Sequence, residues 1–69
     1  MNWNFKYIDM NTCSYTYKHF FIVRQKHCTT LTVDKVLAGT FHSVSQAQSH
    51  VEKASHCKTA SEFKAFFGW

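Results

Sequence analysis

Ala38-Gly39-Thr40-Phe41-His42-Ser43-Val44-Ser45-Gln46-Ala47 is the stretch that decides the architecture. Its first half reads as the end of a β-strand and its second half as the start of a capped helix. Ser43 is the N-cap residue: its hydroxyl can accept from a first-turn N–H that has no intrahelical partner. Gln46, three residues on, can reach back and complete a capping box. Leu37 and Phe41 are expected to point inward, with Gly39 between them letting a helix approach closely. Sheet first and helix second is therefore the expected order.

Downstream of this junction, Val44, Ala47, Val51 and Ala54 recur at spacings of three and four. That stripe predicts a helix from about Val44 to Ala54. Thr59 and Glu62 form a second capping box, opening a short helix that carries Phe63, Phe66 and Phe67. Gly68 is placed to end it. Upstream, Thr29, Leu31 and Val33 alternate as the core face of a strand, and Asp34-Lys35 after them reads as either a bulge or a second turn. Gln25-Lys26-His27 is the expected reversal before that strand, although it lacks the Gly or Asn that tight hairpins prefer.

The run from Cys13 to Arg24 alternates almost without a break, and it reads as one strand. Its odd residues, Cys13, Tyr15, Tyr17, His19, Phe21 and Val23, are assigned to the core. Its even residues, Ser14, Thr16, Lys18, Phe20, Ile22 and Arg24, are assigned to solvent. Before it, Trp3, Phe5 and Tyr7 alternate with Asn4, Lys6 and Ile8, and Asp9-Met10-Asn11-Thr12 supplies turn formers. The expected fold is α+β: a three- or four-stranded antiparallel sheet, one face packed by one longer and one short C-terminal helix. It forms a single small domain over residues 1–69.

Composition narrows the function classes. A chain of 69 residues has a thin core, and 17% aromatic content compensates for it. Three cysteines, Cys13, Cys28 and Cys57, are an odd number for a disulfide scaffold. Met1–Lys6 has no apolar segment of signal-peptide length, and the longest strongly apolar run, Phe20–Val23, is far short of a membrane span. A cytoplasmic protein with reduced thiols and no membrane partner is expected. The net charge of +4 favours acidic partners, but Arg24 is the only arginine.

Catalysis has little to stand on. The carboxylates are Asp9, Asp34, Glu52 and Glu62, and no two share an element in the way acid–base work requires. Cys and His are both present, yet no local signature pairs them with an orienting group. His19 reads as a half-buried histidine with a hydrogen-bond partner. The repeated dipeptides His27-Cys28 and His56-Cys57, with Cys13, suggest structural zinc as one alternative. Adjacent strand residues point to opposite faces, however, and no C-x-x-C spacing exists. No cofactor is expected.

The even face of the second strand is the candidate binding surface: Lys18, Phe20, Ile22, Arg24 and Lys26, flanked by Ser14, Thr16, Thr30 and Thr32. Apolar anchors between cations suit contact with a larger protein or ribonucleoprotein complex. They also suit nucleic acid, where cations meet phosphates and an aromatic ring stacks on a base. The C-terminal Phe63, Phe66, Phe67 and Trp69 read mainly as core, with a partner or homodimer contact as the other use of part of the cluster.

Leu37-Ala38-Gly39-Thr40-Phe41-His42-Ser43, followed by Ala47 and Ala54, resembles the third-strand-to-helix junction of AP2-type DNA-binding domains. That resemblance covers residues 37–54. It implies an antiparallel sheet backed by a helix, with the open sheet face toward DNA. The arginine-rich first strands of that family are missing, so no DNA-contacting residue carries over. In general type the chain is also similar to small phage and mobile-element inhibitors, including anti-CRISPR proteins. That resemblance implies a non-catalytic protein that blocks a larger machine in the host cytoplasm.

Overall fold

Four reversals fold residues 2–41 into a meander, and the computed structural model describes residues 2–69. The strands are β1 (Asn4–Asp9), β2 (Thr12–Tyr17), β3 (Phe20–Arg24), β4 (Thr29–Val33) and β5 (Val36–Phe41). The helices α1 (Val44–Lys53) and α2 (Ala60–Phe67) follow. The strands form one antiparallel sheet in the order β1-β2-β3-β4-β5. It has five strands, where three or four were expected.

The extra strand comes from the run Cys13–Arg24, which is not continuous. It breaks at Lys18-His19, a two-residue loop between the paired residues Tyr17 and Phe20, with Lys18 at φ 53°. Lysine carries no local signal for that left-handed conformation, whereas Gly or Asn would have announced it. Asp34-Lys35 is a turn, not a bulge. Both residues have positive φ, 52° and 68°, which is the type I′ geometry that matches strand twist. Gln25–Cys28 is the expected reversal, closed by the Gln25 N–H donating to the Cys28 carbonyl at 2.8 Å. In the first turn, the Asn11 N–H donates to Asp9 Oδ1 at 2.9 Å.

A two-residue loop pairs residue i with i+3, so the inward parity changes across it. Cys13, Tyr15 and Tyr17 of β2 therefore share a face with Arg24, Ile22 and Phe20 of β3. Phe20 and Ile22, expected at the surface, are fully buried. Phe21 and Val23, expected in the core, are half-buried on the opposite face. The same face continues through Thr29, Leu31 and Val33 of β4, as expected. In β5 a register shift opposite Leu31 and Thr32 makes Ala38 an extra residue. Leu37 is thereby turned outward, Ala38 is buried, and Phe41 stays inward.

The helices form where the caps expect them. Gln46 N–H donates to Ser43 Oγ at 3.1 Å, and Gln46 Oε1 accepts from the His42 N–H at 3.0 Å, one residue upstream of the usual partner. Glu62 N–H donates to Thr59 Oγ1 at 3.1 Å. Gly68 ends α2 in the left-handed conformation, φ 76°. Ala47, Val51, Ala54 and Phe63 join Phe20, Ile22, Leu31, Val33 and Phe41 in one core cluster. Each large side chain fully buried there contributes roughly 1.5–3 kcal/mol. Gly39 accommodates an indole, not a helix: a Cβ built on it would lie 3.0 Å from Trp69, the residue after α2's cap.

Candidate functional site

The register arranges the core-side face of the sheet in rows that run from the helices out to water. One row is Phe41, Thr29, Arg24, Cys13 and Tyr7; the next is Gly39, Leu31, Ile22, Tyr15 and Phe5; a third is Val36, Val33, Phe20 and Tyr17. Among the described residues, α1 packs on β3, β4 and β5, and α2 packs on β4 and β5. Neither helix packs on β1 or β2. The rows therefore end in an uncovered aromatic surface.

That surface has internal order. Trp3 packs on Tyr17 with ring centroids 5.5 Å apart, and Phe5 packs on Tyr15 at 5.1 Å. Trp3, Tyr15 and Tyr17 also lean against the edge of the core. Phe5 and Tyr7, one strand further out, are 59% and 66% exposed, and Met10 at the hairpin tip is 86% exposed. A shallow recess of about 240 Å³ lies between Phe5, Tyr7, Asp9, Cys13, Tyr15 and Arg24. Burial raises the Tyr15 phenol above its ordinary pKa, and neighbouring Cys13 adds to the effect while Arg24 opposes it.

The residues singled out in the sequence divide between three places. Phe20 and Ile22 are core, so the mixed patch of Lys18, Phe20, Ile22 and Arg24 does not form at the surface. Arg24 is exposed at the end of β3, in the row of Cys13 and Tyr7. Lys26 lies in the adjacent β3–β4 turn, and Lys18 lies in the β2–β3 turn with Nζ 5.4 Å from the Tyr17 ring centroid. The uncovered aromatics of β1 were in plain view in the sequence as a period-two alternation. What the sequence could not show is that the helices stop short of them.

His19 is the half-buried histidine expected, and its ring Nε2–H donates to the Cys57 carbonyl. Cys57 itself is buried, and that burial, helped by the nearby charge of Glu62, raises its thiol pKa. The three cysteines are free. Among the described residues, no three His, Cys, Asp or Glu side chains gather into a group that would hold a metal ion, so His27-Cys28 and His56-Cys57 do not build the zinc site weighed from sequence. Of the C-terminal aromatics, Phe63 is core, Phe67 is half-buried, and Phe66 and Trp69 remain about half exposed.

No helix among the described residues is long and apolar enough to cross a membrane. No protein-family model, curated protein or solved structure matches the chain.

Proposed function

We propose that this chain is a small non-catalytic binding module whose contact surface is the uncovered aromatic face of the β1–β2 hairpin. On this reading one longer and one short helix cover a single face of the sheet, and β1 and β2 extend beyond them. The observation that carries the reading is the exposure of Phe5, Tyr7 and Met10 beside Arg24. Aromatic residues, Met and Arg are enriched at protein contacts, and Tyr, Trp and Arg carry most of the binding energy there. The partner is a surface of a larger protein or ribonucleoprotein complex. Its occupation inhibits or modulates that complex, in the manner of a phage-type inhibitor such as an anti-CRISPR protein.

The test replaces residues outside the core. Phe5→Ser with Tyr7→Ser, and separately Arg24→Glu, are introduced into tagged protein whose fold is checked by circular dichroism. Affinity capture from lysate of the natural host follows, after nuclease treatment. A stoichiometric protein complex that survives nuclease and is lost with either variant supports the reading. A complex indifferent to both variants overturns it.

A second reading, nucleic-acid binding on the same surface, is favoured by the charge distribution. Residues 1–33 carry Lys6, Lys18, Arg24 and Lys26 against the single carboxylate of Asp9. The aromatic rows repeat every ~7 Å along the strands, twice the residue rise, close to the spacing of bases in an extended single strand. This reading expects affinity for single-stranded DNA or RNA that falls steeply with salt as counterions are released. No binding at low salt removes it.

A further inference from the structure

The opposite face of the sheet carries a second recess, larger and chemically different. Thr16, Phe21 and Thr32 form its sheet wall, Phe20 and His19 close one end, and Lys18, Asp34 and Lys35 stand at its rim; its volume is about 440 Å³. Small-molecule pockets run from ~300 to ~1,000 Å³, so this recess falls inside the range and the 240 Å³ hollow on the aromatic hairpin does not. Its location is set by two turns. The β2–β3 loop and the β4–β5 loop lie side by side, tied by the Asp34 N–H donating to the His19 carbonyl at 2.9 Å.

Three further observations converge there. Among the described residues, Lys18, Asp34 and Lys35 are the non-glycine residues with positive φ, and all three line this recess. Left-handed backbone costs an L-residue such as lysine roughly 1–2 kcal/mol, and Gly or Asn avoids most of that. Strain of this kind collects where a side chain has a task at that position. The rim is cationic on balance, with two ammonium groups against one carboxylate. The wall beneath it is apolar at Phe21, while the Thr32 hydroxyl is already committed to the Phe21 carbonyl at 3.3 Å.

We infer that this recess is a binding site for a small amphipathic anion. An aromatic or short aliphatic body lies against Phe21, and a carboxylate or phosphate is held between Lys18 and Lys35. The charge complementarity selects the anionic head, and the apolar wall selects a body over a bare ion. This site lies on the other face of the sheet from the hairpin's aromatic surface and shares only the turn residue Lys18 with its edge, where the ammonium is 5.4 Å from the Tyr17 ring.

Titration of the ¹⁵N-labelled full chain with phenyl phosphate, followed by amide shifts, tests the inference. Inorganic phosphate and benzylamine serve as comparison probes. The expected result is saturable shifts confined to Thr16–Phe21 and Thr32–Lys35, on the order of tenfold weaker binding of inorganic phosphate, and none of benzylamine. Lys35→Gly supplies the Asp-Gly pair that type I′ turns favour, and Lys18→Asn places a residue that tolerates φ > 0. Both variants are therefore expected to keep or raise the melting temperature while weakening phenyl phosphate binding by about tenfold or more. Shifts spread over all lysine-bearing surfaces would overturn the site. So would equal binding of inorganic and phenyl phosphate, affinity unchanged in both variants, or no saturable shift at all.

Discussion

One face of one sheet is treated in two ways. Over β3, β4 and β5, the residues Phe20, Ile22, Leu31, Val33 and Phe41 are sealed by Ala47, Val51, Ala54 and Phe63. Over β1 and β2, residues in the same rows and of similar hydrophobicity meet no helix, and Phe5 and Tyr7 face water. The two helices comprise 10 and 8 residues, so at ~1.5 Å per residue neither is longer than about 15 Å. Neither alone spans five strands, which at ~4.8 Å spacing are about 19 Å across. The lesson is that a hydrophobic strand pattern specifies a face, and the length of the covering layer decides which part of that face becomes core. The remainder is available for contact.

The comparison is tested most severely by truncating one aromatic in each half. Phe63→Ala removes a fully buried ring and is expected to cost ~3–5 kcal/mol, enough to unfold much of a domain this small. Phe5→Ala, in the uncovered half, is expected to cost less than about 1 kcal/mol, the worth of its cross-strand pair with Tyr15. Urea denaturation of both variants reads the difference. Similar losses would mean that the hairpin face is part of the cooperative core.

The covered half has its own seam at Gly39. Gly39→Ala pushes a methyl group toward Trp69 and is expected to cost ~1–3 kcal/mol. In a Trp69→Ala background the same substitution should cost much less, and a double-mutant cycle measures the coupling. Additive losses would show that the indole does not close over Gly39. Smaller effects are expected at the helix starts that hold the cover in place. Ser43→Ala and Thr59→Ala should each lower stability by ~1 kcal/mol, read as shifts in thermal midpoint.

The smallest effect separates the halves by pH. Cys57 in the covered half and Tyr15 at the boundary both have raised pKa values, each chiefly through burial. An acid whose folded pKa lies above its unfolded value gives up its proton first in the unfolded chain. Its stabilising contribution is complete below the ordinary thiol or phenol range and is lost as pH rises through the raised value. Denaturation midpoints should therefore begin to fall at about pH 9 through Cys57 and above about pH 10 through Tyr15, and the earlier part of the fall should be smaller in Cys57→Ala. An equal decline in that variant would assign the alkaline loss to Tyr15 instead.

The parts of the fold legible in the sequence are those made by short-range hydrogen bonds. Ser43 with Gln46, Thr59 with Glu62, Asp9 with Asn11, and the left-handed Gly68 each involve residues within a few positions of one another, so residue type and spacing suffice. The candidate surface was less legible. Of Lys18, Phe20, Ile22, Arg24 and Lys26, the three charged residues are exposed and the two apolar ones are core. One unsignalled turn accounts for the error, because a break at Lys18-His19 inverts the parity of everything after it up to Arg24. Likewise the extra residue Ala38 sends Leu37 outward, a change that alternation counted from either end does not reveal.

By itself, then, the sequence determined strands before helices, where both helices begin, and most of the reversals, since these are local preferences of the backbone and its nearest side chains. Tertiary structure alone decided which face of β3 is buried, how far the helices reach, and that Phe5 and Tyr7 stay in water. Those outcomes depend on long-range packing: side chains distant in sequence compete for one limited layer of cover, and the winners are set by register and helix length together.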